Sequence, residues 1–249
     1  VTSHVDYLLR LGDSALILGH RLSEWIGHSP AIEEELALAN TSLDLIGQAR
    51  MWLTLAGEEE GRGRDEDSFA YLRDAGEFRN LLLVEQPNGD YATTIARQFY
   101  FDAWHAPVLQ NLASSNDARI AAIAAKAVKE ATYHLRRSSD WVITLGDGTD
   151  ESHRRMQSAI DDLWTYTGEM FVNDPGDAAL IEAGIVADHA ALHDGWMASI
   201  ERVLAEATLE RPRGTYMQRG GTRGVHTEHL GYLLAEMQFL QRAYPNATW

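Results

Sequence analysis

Apolar positions along this chain recur at three- and four-residue intervals, the spacing of one face of an α-helix, and strand-like alternation is scarce. Leu8, Leu11, Ala15, Leu18, Leu22 and Trp25 form one such stripe and predict a first helix over about 6–26, ended by Gly27-His28. A second helix is expected at once, over about 30–56. Ser29 stands where an N-cap belongs, Pro30 at the first helical position, and Glu33, Glu34 and Glu35 near the positive end of the helix dipole. So short a link predicts antiparallel neighbours. Leu38, Leu45, Gln48, Trp52 and Leu55 share one face of the second helix; Leu36, Ala39, Leu43 and Ile46 share the adjoining one.

Residues 57–90 read as a long irregular connection, Gly-rich and charged at first, then apolar at Leu81-Leu82-Leu83-Val84 before a turn at Gln86–Asp90. A third helix is predicted over about 91–114 with the stripe Ile95, Phe99, Asp102, Ala106, Leu109 and Ala113; Pro107 inside it should kink it. The fourth, about 117–145, carries Ile120, Ala124, Ala127, Ala131, His134, Ser138 and Trp141. Further helices are expected over about 150–172, capped by Thr149, and over about 178–183, 189–207 and 227–242. No repeat or interdomain linker breaks the pattern. The reading is one all-α domain over 1–249: a ferritin-like four-helix bundle with one long crossover and additional C-terminal helices.

Composition narrows the function. A net charge of −16 argues against binding nucleic acid or an anionic membrane. The absence of cysteine excludes disulfides, thiolate metal sites and a cysteine nucleophile. No apolar run reaches the ~18 residues of a membrane span, and Val1–Val5 lacks the basic start of a signal peptide, so a cytoplasmic protein is expected. No Gly-x-Ser-x-Gly elbow is present.

Three constellations could carry chemistry. A carboxylate-bridged di-iron site takes a Glu from each of two helices and a Glu-x-x-His from each of two others. Asp102 and His105 are spaced i,i+3, Glu130 and His134 i,i+4, and Asp13 and Asp44 sit on the first two helices. An autonomous di-iron oxidase or oxygenase built from Asp102, His105, Glu130 and His134, with Asp44 and Asp13, is the alternative reading. Helical phase opposes it: Asp13, Asp44 and Glu130 fall beside their stripes, and one acid with one histidine cannot hold two metals. Asp102 and His134 are instead expected to form a buried, hydrogen-bonded polar pair, since an unpaired buried charge is costly.

His226 and His229 are three apart and could share a metal, but without a third placed ligand they read as a helix start capped by Thr227 or His226. Arg211, Arg213, Arg219 and Arg223 concentrate positive charge in a Gly-rich loop. Arg219 and Arg223 are its candidates for contact with an anion, such as a CoA phosphate, or with a partner surface.

Six stretches carry a resemblance over nearly the whole length: Leu36–Asn40, Leu43–Arg50, Asn80–Gly89, Phe101–His105, Lys129–Leu135, and His226–Gly231 with Leu234–Gln238. In these the chain resembles the structural C subunits of bacterial phenylacetyl-CoA epoxidases, multicomponent oxygenases of phenylacetate catabolism. The resemblance implies a ferritin-like fold and a sister A subunit that carries the di-iron site. Ring epoxidation would be done by that partner, fed by a reductase. It implies that family ligand positions fall on Ala15, Leu45, Gln48, Asp102, Ala131 and His134, so that only Asp102 and His134 keep ligand chemistry. No catalytic residue, metal or cofactor is then expected in this chain. The expected partner is the di-iron catalytic subunit, with the reductase and small B subunits as further candidates and self-association open.

Overall fold

The computed structural model describes residues 3–245 and residue 247. The ends of the predicted domain, at Val1 and Trp249, lie outside the described residues. In chain order the helices are α1 (Ser3–Ser23), α2 (Ile32–Glu60), α3 (Glu66–Tyr71), α4 (Leu82–Glu85), α5 (Tyr91–Leu112), α6 (Ala118–Gly146), α7 (Asp150–Trp164), α8 (Ala178–Glu182), α9 (His193–Glu206), α10 (Glu228–Met237) and α11 (Phe239–Ala243). No strand occurs among the described residues, so the all-α expectation holds and the helix content is consistent with a ferritin-like fold. The chain forms two compact units. One comprises the chain through Pro87 and again from Arg219; the other comprises Asn88–Gln218.

The first unit is organised on α1 and α2. A Cβ added at Gly12 would lie 2.8 Å from Leu53 Cδ2, and one at Gly19 would lie 3.2 Å from the Ser42 carbonyl. Gly12 facing Leu53 and Gly19 facing Ser42 make the pair antiparallel, and the missing side chains let the two backbones approach. Ser42 fixes the contact by donating its hydroxyl to the Gly19 carbonyl at 2.7 Å. The predicted stripe of α1 is too narrow, because every residue from Leu11 to Gly19 is buried. The helix also ends at Ser23, which leaves Trp25 in the following turn.

The start of α2 differs from the expectation. Ala31 precedes the first helical residue without a side-chain cap, and Ser29 instead donates back to the Trp25 carbonyl at 3.3 Å. On the adjoining face of α2, Leu36 and Leu43 are exposed. After α2 the predicted irregular stretch is partly helical. Asp65 caps α3 by accepting from Ser68 N, a 3-10 turn follows at Ala75–Glu77, and the apolar run becomes α4.

In the second unit α5 and α6 are antiparallel, with Tyr91 at the start of α5 packed edge-on to Trp141 near the end of α6, ring centroids 5.3 Å apart. Asp90 caps α5 and Asp117 caps α6 through their first N–H groups, which would otherwise be orphaned. The helix α5 continues through Pro107. The α6 stripe from Ile120 to Ser138 is buried as its spacing requires.

Two predicted helices are cut short. Helix α7 stops at Trp164, not near 172, because the Thr165 carbonyl accepts from Gln218 N at 2.7 Å and leaves the helical ladder. The last predicted helix is two, α10 and α11, divided at Gln238, whose buried amide donates to the carbonyls of Ala70 and Arg73 at 3.0 Å each. The segment predicted over 189–207 begins as a 3-10 turn and becomes α9 at His193.

Candidate functional site

The second unit holds the surviving polar positions. Asp102 projects from the buried stripe of α5 and accepts from Gln98 Nε2 at 2.7 Å and from Ser138 Oγ, on α6, at 2.8 Å. Burial raises its carboxyl from the ordinary 3.8 to about 6, against the opposing pull of His134, the two hydrogen bonds and Arg137. Asp102, expected to form a hydrogen-bonded pair with His134, is hydrogen-bonded to Gln98 and Ser138, and His134 acts on it through its charge. One helical turn along α5, His105 is buried against Phe101, ring centroids 4.8 Å apart, and its Nδ1 has no hydrogen-bond partner. Burial, aided by the charge of His134, lowers His105 to about 3, so the ring is neutral at physiological pH. Ala131, on the same stripe as His134, is buried.

The remaining positions that the resemblance names, Ala15, Leu45 and Gln48, lie in the first unit. Ala15 and Leu45 are fully buried aliphatic side chains with no donor atom, and Gln48 is a buried neutral amide. The acids of the alternative reading are placed otherwise. Asp13 is buried, contrary to its off-stripe position, and it is engaged with Arg73 through both guanidinium nitrogens and accepts from Arg79 N at 2.8 Å. Arg73 in turn stacks over Phe78, 4.2 Å from the ring centroid. Asp44 and Glu130 are half-buried.

This donor set does not fit a di-iron centre, which draws on four carboxylates and two imidazoles. Of the six positions that the resemblance names, three carry only hydrocarbon, and the single carboxylate accepts from a hydroxyl and an amide. Among the described residues no group of three or more His, Asp or Glu side chains could hold a metal ion.

Of the pair His226 and His229, His226 is drawn into hydrogen bonds. His226 Nδ1 lies 2.9 Å from Glu85 Oε2 and its Nε2 lies 3.0 Å from the Phe78 carbonyl, so both ring nitrogens are engaged. Helical spacing does not single out Glu85, yet it is the hub of the first unit. It is fully buried and accepts from Asn80 Nδ2 at 2.9 Å, Thr227 N at 2.7 Å and Thr227 Oγ1 at 2.8 Å. Its main-chain carbonyl accepts from Arg21 Nη2 at 2.8 Å. Thr227 precedes α10 as expected, but its hydroxyl serves Glu85 and makes no cap bond. The signal lay in the motifs Asn80–Gly89 and His226–Gly231, which contain this network; pairing across 141 residues has no local signature.

Arg211 bonds Glu201 at 2.7 Å and Arg213 bonds Glu210 at 3.3 Å. Arg219 and Arg223 belong to the other unit, and both are exposed.

Residues 1–249, the whole chain, match the family described as phenylacetic acid catabolic protein. The chain belongs to that family. It is also 53% identical over 243 residues, 98% of each chain, to the C subunit of the 1,2-phenylacetyl-CoA epoxidase of Escherichia coli (strain K12). In this member of the phenylacetic acid catabolic proteins, Asp102, Asp13 and Glu85 are each engaged by other side chains. No helix among its described residues is long and apolar enough to cross a membrane.

Proposed function

We propose that this chain is a non-catalytic structural subunit of a multicomponent phenylacetyl-CoA ring-epoxidising monooxygenase in phenylacetate catabolism. Its work is to bind and position the di-iron catalytic subunit. The observation that carries the reading is the chemistry of the six ligand positions: Ala15, Leu45 and Ala131 offer no donor, Gln48 is neutral, and Asp102 is committed to Gln98 and Ser138. The full-length identity to the C subunit of an epoxidase supports the assignment to such a complex. The chain itself supplies rigidity. The Asp13–Arg73 pair and the Glu85 hub tie distant segments together, which suits a scaffold that must hold a partner in one geometry. Cytoplasmic placement and the reductase and small B subunits as further partners belong to the same proposal.

Co-expression with the candidate catalytic subunit tests it. The expected result is a stable complex that epoxidises phenylacetyl-CoA and loses that activity when this chain is omitted. Full activity of the catalytic subunit alone would overturn the reading.

A further inference from the structure

Helix α2 turns an apolar line to solvent. Ile32 is 69% exposed, Leu36 60% and Leu43 66%. At 3.6 residues per turn these three, with half-buried Ala39 and Ile46 and exposed Arg50, fall within roughly 40° of one line along the helix. The opposite side is the buried face of Leu38, Leu45, Trp52 and Leu55. Fold stability therefore accounts for one face of α2 and leaves the other unexplained. Single exposed hydrophobes need no reason, but a continuous line of them on a long helix marks an interaction site.

The line leads into a cavity of about 310 Å³ lined by Ile46 and Arg50 with Leu16, Leu53, Ala70 and Tyr71. A helix laid along α2 could seat a side chain there. Helix α2 has 29 residues, about 43 Å of length at ~1.5 Å each, enough to run across a full-sized interface.

Charge selects the occupant. Glu33 and Asp44 flank the line on one side and Glu35 on the other, and Glu66 and Asp67 stand at the cavity. The one cation on the line, Arg50, is paired with Glu66 at 3.0 Å. A second copy of a chain with net charge −16 would bring like-charged rims together. A helix with an apolar stripe bordered by Lys or Arg would match both the stripe and the rim.

We infer that the exposed face of α2, from Ile32 to Arg50 with the cavity at its end, is the docking surface for the catalytic subunit, which presents an apolar helix face flanked by basic side chains. This rests on the structural-subunit reading above. The test is the affinity of the full-length chain for the candidate catalytic subunit, measured for the parent, Leu36→Glu, Leu43→Glu, and a remote control at another exposed apolar residue, Tyr232→Glu. Both leucines are exposed, so folding should be unchanged and thermal melting checks it. Expected is a loss of ~30-fold or more for Leu43→Glu, the size of a central interface contact, with Tyr232→Glu unaffected. Charge reversal by Glu33→Lys with Asp44→Lys should also weaken binding and flatten its salt dependence. Parent-like binding by Leu43→Glu overturns this assignment alone. So does a loss confined to self-association of the isolated chain. Absence of binding by the parent overturns the structural-subunit reading as well.

Discussion

Ser138 donates its hydroxyl to Asp102 across the α5–α6 interface at 2.8 Å, so this buried carboxylate ties two helices together. That carboxyl is raised from 3.8 to about 6 by burial, and the folded chain therefore binds its proton more tightly than the unfolded chain. The resulting stability is fully present below about pH 4 and is lost as pH rises through about 6, a change of about 3 kcal/mol at ~1.36 kcal/mol per pKa unit. Asp102→Asn removes this titration. In urea unfolding from pH 4 to pH 8, the variant should gain about 2–3 kcal/mol on the parent as pH rises. A constant difference across that range would contradict the assignment.

Breaking the Asp13–Arg73 pair leaves a buried guanidinium without its charge partner. Asp13→Ala should cost about 3–5 kcal/mol, read from the urea midpoint. Replacing both partners together, Asp13→Leu with Arg73→Met, should cost far less than the sum of the single changes, because no buried charge is left unpaired.

Glu85 ties α4 to the start of α10. Glu85→Ala leaves Asn80, Thr227 and His226 without their acceptor and should loosen the segment from Thr227 onward. Limited trypsin digestion should cut at Arg242 at least about 10-fold faster than in the parent, the equivalent of ~1.4 kcal/mol in local opening. Unchanged cleavage would show that the segment is held by other contacts.

Two glycines of α2 make opposite predictions. A Cβ at Gly57 would lie 2.2 Å from the Arg64 carbonyl oxygen, so Gly57→Ala forces the backbone to move and should destabilise by about 1–3 kcal/mol. A Cβ at Gly47 meets nothing within 4 Å, and Gly47→Ala should stabilise by roughly 0.5–1 kcal/mol through helix propensity. Thermal melting of the two variants checks both signs.

The long helices were legible because their burial is periodic: the stripe from Ile120 to Ser138 is the buried face of α6. Period alone misjudged α1, where Gly12, Asp13, Ser14 and Gly19 are buried beside the stripe through close backbone approach and an ion pair to a distant loop. On the outer face of α2, spacing groups Leu36 with Leu43 but does not say whether anything covers them. The ends of α7 and α10 were lost for a related reason. Each is set by a long-range hydrogen bond, from Gln218 to Thr165 and from Gln238 to Ala70, and no local propensity encodes such a bond. At the candidate site, phase put Asp102 on one stripe and His134 and Ser138 on another, whereas the part of Gln98 and the whole Glu85 network needed the fold.

The most direct test of the central claim is the iron content of the isolated, full-length chain produced in cells supplied with iron. The predicted result is no iron above trace and no oxo-bridge absorption band, because Ala15, Leu45 and Ala131 supply no ligand at the positions that the resemblance names. Roughly two irons per chain with that band, the loading of a carboxylate-bridged pair, would contradict it.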